Sequence, residues 1–216
     1  MIYLYAIAEG LTTLPNVAGI DGAPVSRRTH ERLDLVVSEH DHGSVEPTDE
    51  RILVHGAVVE ELLGCTDALL PARFGRAFRD DEALTSAVDG RATEIREALA
   101  RVRGCVEVGV RVIRPPDPPP IADSGRGYME ERRARIAAAE RLAEEIHEPL
   151  AGLARSSAHA AASTPRLLLS GAYLVDPADV ARFRERVGSL ETEHTELSFA
   201  CTGPWPPYSF ASLGDT

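Results

Sequence analysis

Cys105-Val106-Glu107-Val108-Gly109-Val110-Arg111-Val112-Ile113 sets a valine at every second position against Glu107, Gly109 and Arg111. Strand side chains alternate between faces, so this spacing predicts a strand with one buried valine face. The elements downstream of this strand decide the fold class. Tyr128 to Glu148 places Met129, Ile136, Leu142 and Ile146 on one side of a helix, the strongest part of a long helical segment at 128–156, with Pro149 expected to end or kink it. Ser157 to Ala162 reads as a weaker strand, and Thr164-Pro165 turns it into the apolar strand Leu167 to Val175. Asp176-Pro177 supplies an acidic N-cap and a proline at the first helical position, and Val180, Phe183, Val187 and Leu190 keep the spacing of a core face. His194 to Cys201 is expected as the last strand. The order strand, helix, strand, strand, helix, strand is the ferredoxin-like split βαβ pattern. Arg114 to Pro120, with five prolines, then becomes the first loop of that domain.

Working back towards the start, Ile2 to Ala8 reads as a strand and Asn16 to Pro24 as a loop. Arg32 to Glu39 alternates Leu33, Leu35 and Val37, a strand with one buried face. Asp49 to Leu63 is a helix with Val54, Val58 and Leu62 on its apolar stripe and Gly64 just past its end. Ala68 to Phe74, around Pro71, is an edge strand. Asp80 to Arg103 is helical, with Asp89-Gly90 able to split it in two. The expected fold class is therefore α+β in two domains: an N-terminal α+β domain at 1–104 and a modified ferredoxin-like domain at 105–216 ending in a proline and aromatic tail at 203–210.

Composition narrows the function. All 23 basic residues are arginine, and the formal net charge is −11, so a phosphate backbone is a poor partner. The densest basic run, Arg132-Arg133-Ala134-Arg135, comes after Glu130 and Glu131 and reads as a solvated helix face with a Glu131–Arg135 pair. Cys65, Cys105 and Cys201 are scattered and form no CxxC, which argues against a disulfide scaffold or a zinc site and for reduced thiols in the cytosol. MIYLYAIAEG lacks a basic n-region, and no apolar run is long enough to cross a bilayer, so a soluble intracellular protein is expected.

Chemistry-bearing clusters are few. His40-Asp41-His42, with His30 or Asp34, is the most metal-like, yet a solvated loop explains it as well. Glu144-x-x-His147 and Glu191-x-x-His194 have the spacing of a di-iron helix motif, but the second straddles a helix end. Ser124 in Asp123-Ser124-Gly125-Arg126-Gly127-Tyr128 reads as a helix-start turn, with no phosphate-loop or dinucleotide fingerprint around it. Neither a catalytic residue nor a metal or other cofactor is expected.

The unusual feature is Gly203-Pro204-Trp205-Pro206-Pro207-Tyr208-Ser209-Phe210. Three prolines hold the chain extended with little entropy left to lose. Trp205, Tyr208 and Phe210 are then either a preorganised anchor for a partner or a seal on the protein's own fold. Arg73 and Tyr128 join them as candidate contact residues.

The same stretch resembles the closing signature of the gas vesicle protein F/L family. Tyr3-Leu4-Tyr5-Ala6-Ile7, Leu70-Pro71-Ala72-Arg73-Phe74-Gly75, Gly104-Cys105-Val106-Glu107-Val108, Ser124-Gly125-Arg126-Gly127-Tyr128-Met129 and Gly171-Ala172-Tyr173-Leu174-Val175 are similar to further family segments, in family order. The resemblance implies a minor, non-enzymatic protein for building gas vesicles, the hollow protein shells that give cells buoyancy. Its implied partners are the major shell protein and other accessory vesicle proteins. It implies two α+β domains, the second modified ferredoxin-like, and offers no catalytic residues to transfer. The other reading open to the sequence is a small-ligand regulatory module, which rests on fold analogy alone; a metal-dependent enzyme is the third.

Overall fold

A computed structural model describes residues 1–41, 45–116, 125–161 and 166–211. The chain divides into two compact units, Met1–Val106 together with Trp205–Thr216, and Glu107–Pro204.

The first unit is built around β1 (Ile2–Glu9), which is buried along almost its whole length. It pairs antiparallel with β3 (Leu33–Glu39), with β4 (Ala68–Pro71) and with the short β5 (Ala77–Phe78). β2 (Ser26–His30) adds outside β3, giving the order β2-β3-β1-β4. A register shift in β1 between Leu4 and Ala6 is a β-bulge at Tyr5. An extra residue in a strand inverts its alternation. Tyr3 and Tyr5 ahead of the shift, and Ala6 and Ala8 beyond it, consequently belong to one core cluster with Val58, Val59 and Leu62. Those three lie on α1 (Asp49–Leu63), whose first turn is capped by the Thr48 side chain accepting from the Arg51 N–H. β3 is buried on both faces rather than on the one face its alternation suggests. The helices α2 (Asp81–Asp89) and α3 (Ala92–Val102) contribute Leu84, Val88, Ile95 and Leu99 to the buried set, and α3 packs on β4. The break between them falls at Gly90, the C-cap of α2, as the Asp89-Gly90 pair predicts.

Gly56 sits in the middle of α1, and a Cβ built there meets nothing within 4 Å. Glycine in a helix interior has excess unfolded-state entropy and leaves the backbone open to water. Gly56→Ala is therefore expected to raise stability by about 0.5–1 kcal/mol, read as a higher urea midpoint at unchanged m-value.

In the second unit, β6 (Val106–Ile113), β7 (Ser156–Ala161), β8 (Leu167–Val175) and β9 (Ser198–Trp205) form a sheet in the order β7-β8-β6-β9. β7 and β8 pair antiparallel, from Ser156 opposite Leu174 to Ala161 opposite Leu169. Val108, Val110 and Val112 point into one cluster with Leu169, Tyr173, Phe183, Val187 and Leu190, and with Ile146 and Leu150. Two helices supply that layer: α4 (Gly125–Ala151) and α5 (Val180–Glu193), the latter preceded by a 3-10 turn at Pro177–Asp179 that Asp176 caps. No described helix is long and apolar enough to cross a membrane.

Four expectations are corrected. β2 has no counterpart among the expected elements: it is a polar outer strand whose residues alternate between intermediate and exposed, so no apolar period marks it. Pro149 lies inside α4, which runs on to Ala151. The last strand begins at Ser198 and extends through Pro204 to Trp205, later than the His194 to Cys201 expected. Finally, the chain from Trp205 onward groups with the first unit instead of with the domain assigned to 105–216, because Phe210 is buried and the turn Tyr208–Phe210 packs on β4.

Candidate interaction site

Three stretches with distinctive sequence meet in the first unit: the Tyr3-Leu4-Tyr5 opening, Leu70 to Gly75, and the Trp205 to Phe210 tail. Tyr3 is the hub. Its hydroxyl lies 3.0 Å from His55 Nδ1 and accepts from the Gly75 N–H at 3.1 Å. His55 Nε2 lies 3.0 Å from the Ala72 carbonyl oxygen. A carbonyl can only accept, so Nε2 carries the proton and donates, Nδ1 accepts, and the Tyr3 O–H donates to it. Burial holds the His55 pKa below its ordinary value, which keeps the ring neutral as this pattern needs. Burial also pushes the Tyr3 phenol up to about 12. Phe74 sets its ring edgewise to both Tyr3 and His55, at centroid distances of 6.1 and 5.8 Å. The Leu70 to Gly75 stretch is thus held at Ala72, Phe74 and Gly75. Arg73 lies exposed in the turn between, where the Arg76 N–H donates to the Arg73 carbonyl.

A second chain of bonds runs from Tyr5. Its hydroxyl accepts from the Ile20 N–H at 2.9 Å and lies 3.0 Å from Ser38 Oγ, which in turn is 2.8 Å from His40 Nε2. Burial lowers the His40 pKa, which favours the neutral ring beside Ser38. Gly19 makes the close approach possible: a Cβ there would lie 2.4 Å from the Tyr5 hydroxyl.

The tail completes the site. Pro206 and Pro207 are buried, Phe210 is buried, and two N–H···O bonds, Tyr208 to Pro206 and Phe210 to Pro207, close the final turn. Tyr208 stays 37% exposed and Trp205 43% exposed, so the segment seals with one ring and leaves the other two partly in water. Burial, with Glu60 and Tyr3 adding electrostatic pressure, pushes the Tyr208 phenol up to about 12. Tyr128 belongs to a different place, the exposed first turn of α4 in the second unit.

The second unit repeats the tyrosine–histidine device. Tyr173 on β8 puts its hydroxyl 2.9 Å from Nδ1 of His147 on α4, and His147 Nε2 faces Ser157 Oγ at 3.5 Å. Burial and the neighbouring His159 hold the His147 pKa below its ordinary value, while burial raises the Tyr173 phenol. The His147 and His159 rings lie 4.1 Å apart between centroids, tilted at 44°, and Glu144 faces His159 at 3.9 Å. The Tyr173 ring folds over Gly171, where a Cβ would come within 2.7 Å of it. Gly171→Ala should therefore push Tyr173 off His147 and cost about 1–3 kcal/mol, seen as a lower melting temperature with an altered near-UV spectrum.

The described members of the metal-like clusters have other partners. His30 pairs with Asp89 at 2.6 Å, Asp34 accepts from the Leu11 N–H and from Thr29, and His40 is engaged by Ser38. His42 and Ser124 lie outside the described residues. His194 faces Glu196 at 3.9 Å. Among the described residues no group of three or more His, Cys, Asp and Glu is disposed to hold a metal ion.

The chain is similar over its length to proteins of one kind. It is 29% identical to gas vesicle protein F1 of Halobacterium salinarum, across 98% of this chain and 93% of that protein. It is 28% identical to gas vesicle protein L of a Streptomyces species, across 99% and 93%. The crystal structure of GvpF from Anabaena sp. PCC7120 superposes with a TM-score of 0.85 at 17% identity, covering 99% of this chain and 97% of that one. GvpF from Microcystis aeruginosa superposes with a TM-score of 0.80 at 19% identity, covering 98% and 99%. Those two structures share the mixed helix-and-sheet fold described above. The description "Gas vesicle synthesis protein GvpL/GvpF" matches residues 1–212, a span that takes in every stretch meeting at Tyr3, and the chain belongs to that family.

Proposed function

We propose that this chain is a minor, non-enzymatic gas vesicle protein, needed for vesicle assembly and acting in the cytoplasm by binding the major shell protein and other accessory proteins. The family match over residues 1–212 carries this reading. The site agrees with it. Its polar atoms are tied into fixed hydrogen bonds that lock backbone segments, which is the work of a scaffold, and its rigid tail leaves Trp205 and Tyr208 open to a partner. Trp205, Tyr208 and Arg73 are the contact residues of this proposal, Phe210 is the internal seal, and Tyr128 is a separate contact point on the second unit. That unit is best read as ferredoxin-like. Its strand–helix–strand–strand–helix–strand order, with the sheet arranged β7-β8-β6-β9 and both helices feeding one core, supports this.

The test is a pull-down of purified vesicle components on the immobilised chain, together with deletion of its coding sequence in a vesicle-forming cell. Capture of the shell protein and loss of vesicles are expected. Normal vesicles without the chain, and no capture, would overturn the proposal.

A further inference from the structure

Two helical faces of this chain are left uncovered, and they are opposite in character. On α1, positions 49, 52, 53, 56, 57, 60 and 61 fall on one side at 3.6 residues per turn. Its centre is apolar: Ile52 and Leu53 are exposed, Leu53 by 73%, beside Ala57 and the open backbone at Gly56. Both ends of this face are acidic, with Asp49 and Glu50 at one and Glu60 and Glu61 at the other, none in an ion pair among the described residues. The one basic side chain on this stretch, Arg51, is turned away onto Asp21.

The first half of α4 is the counterpart. The core takes Ala139, Leu142, Ala143, Ile146, His147 and Leu150 from the later turns, while Tyr128, Met129 and Ile136 stand exposed. Arg132 and Arg133 share their side of the helix. Arg126 is taken by Glu130 and Arg135 by Glu131, which leaves Arg132 and Arg133 without an ion-pair partner among the described residues. This is a basic, apolar face on a chain of net charge −11. At 1.5 Å per residue the α1 face runs roughly 18 Å and the α4 face from Tyr128 to Ile136 roughly 12 Å, so the second fits within the length of the first.

We propose that the exposed α1 face of one copy receives the first half of α4 from a second copy. Leu53 and Ile52 meet Tyr128, Met129 and Ile136 over the low backbone at Gly56, and Arg132 and Arg133 meet an acidic end of the α1 face. The contact joins unlike surfaces, so every copy carries one donor face and one acceptor face.

Analytical ultracentrifugation of the full chain over a concentration series tests this. Association that strengthens with concentration and weakens with added salt is expected. Leu53→Asp and Ile136→Asp each alter an exposed position, and each alone should raise the dissociation constant by roughly tenfold or more. Mixed together, the two variants should pair one to one, because each retains the face the other has lost. Gly56→Trp, which fills the open backbone, should weaken association in the same way. A wild-type chain that stays monomeric throughout, variants that self-associate undiminished, or folded variants (by circular dichroism) that fail to pair on mixing each overturn the proposal. So does an α1 face that binds the shell protein while the chain alone remains monomeric.

Discussion

Phe210→Ala is expected to destabilise the first unit by about 3–5 kcal/mol, read as a large drop in urea midpoint. Phe210 is only 5% exposed and anchors a turn whose two prolines are buried as well. Truncating it removes the ring's transfer free energy and leaves a hole that rigid prolines cannot collapse to fill. Trp205→Ala, by contrast, truncates a ring already 43% in water, and should change stability by less than about 1 kcal/mol. If the proposed function holds, the loss there appears in capture of a vesicle component. The two substitutions therefore separate sealing from contact within one short tail. If Phe210→Ala melts like the parent chain, the tail is no part of the first unit's fold. If Trp205→Ala binds as the parent does, the contact assigned to Trp205 is wrong.

Stability should fall steeply between about pH 6.5 and 5, by up to about 1.4 kcal/mol per pH unit for each buried histidine concerned. His55 and His147 are both buried, and the pKa of each is lowered, chiefly by burial. His40 is shifted in the same direction. The unfolded chain takes up protons at its ordinary histidine pKa of about 6.5, whereas burial makes the folded rings resist. Above that pKa neither state is protonated and the histidines contribute nothing to the slope. Below it the unfolded state binds more protons, so stability is lost as pH falls towards the lowered folded values. For His147, Glu144 and Glu148 work against the shift and His159 works with it. Urea midpoints at pH 7 and pH 5.5 check this above the main carboxylate range; equal midpoints would mean that the rings charge without leaving their partners.

The sequence makes much of the architecture legible, and the reasons differ by element. β6 is readable because four valines in strict alternation have one physical meaning, and α1 because its apolar stripe stops just before a glycine. β2 is not readable, since Ser26–His30 lies at the outside of the sheet and has little apolar surface to hide. The bulge at Tyr5 is equally silent: it alters which residues share a face without altering their identity. Of the site, Trp205, Tyr208, Phe210 and Arg73 stand out through unusual composition. The residues that organise it, Tyr3 and His55, are 52 positions apart and leave no local pattern. His147 stands at a metal-like spacing from Glu144, but its partner is Tyr173, 26 positions away on another element. Buried tyrosines in apolar strands are the one available hint, because a buried hydroxyl demands a partner somewhere.

The route of the chain through its two units bears on synthesis. The ribosome releases all five strands of the first unit before any of α4, β7, β8, α5 or β9, yet Pro206, Pro207 and Phe210 emerge only after all of these. The nascent first unit therefore waits, with the Phe210 seat on β4 unfilled, until the second unit has been made. Full burial of that seat is a property of the finished polypeptide alone. A product terminated before Phe210 leaves that seat on β4 unfilled.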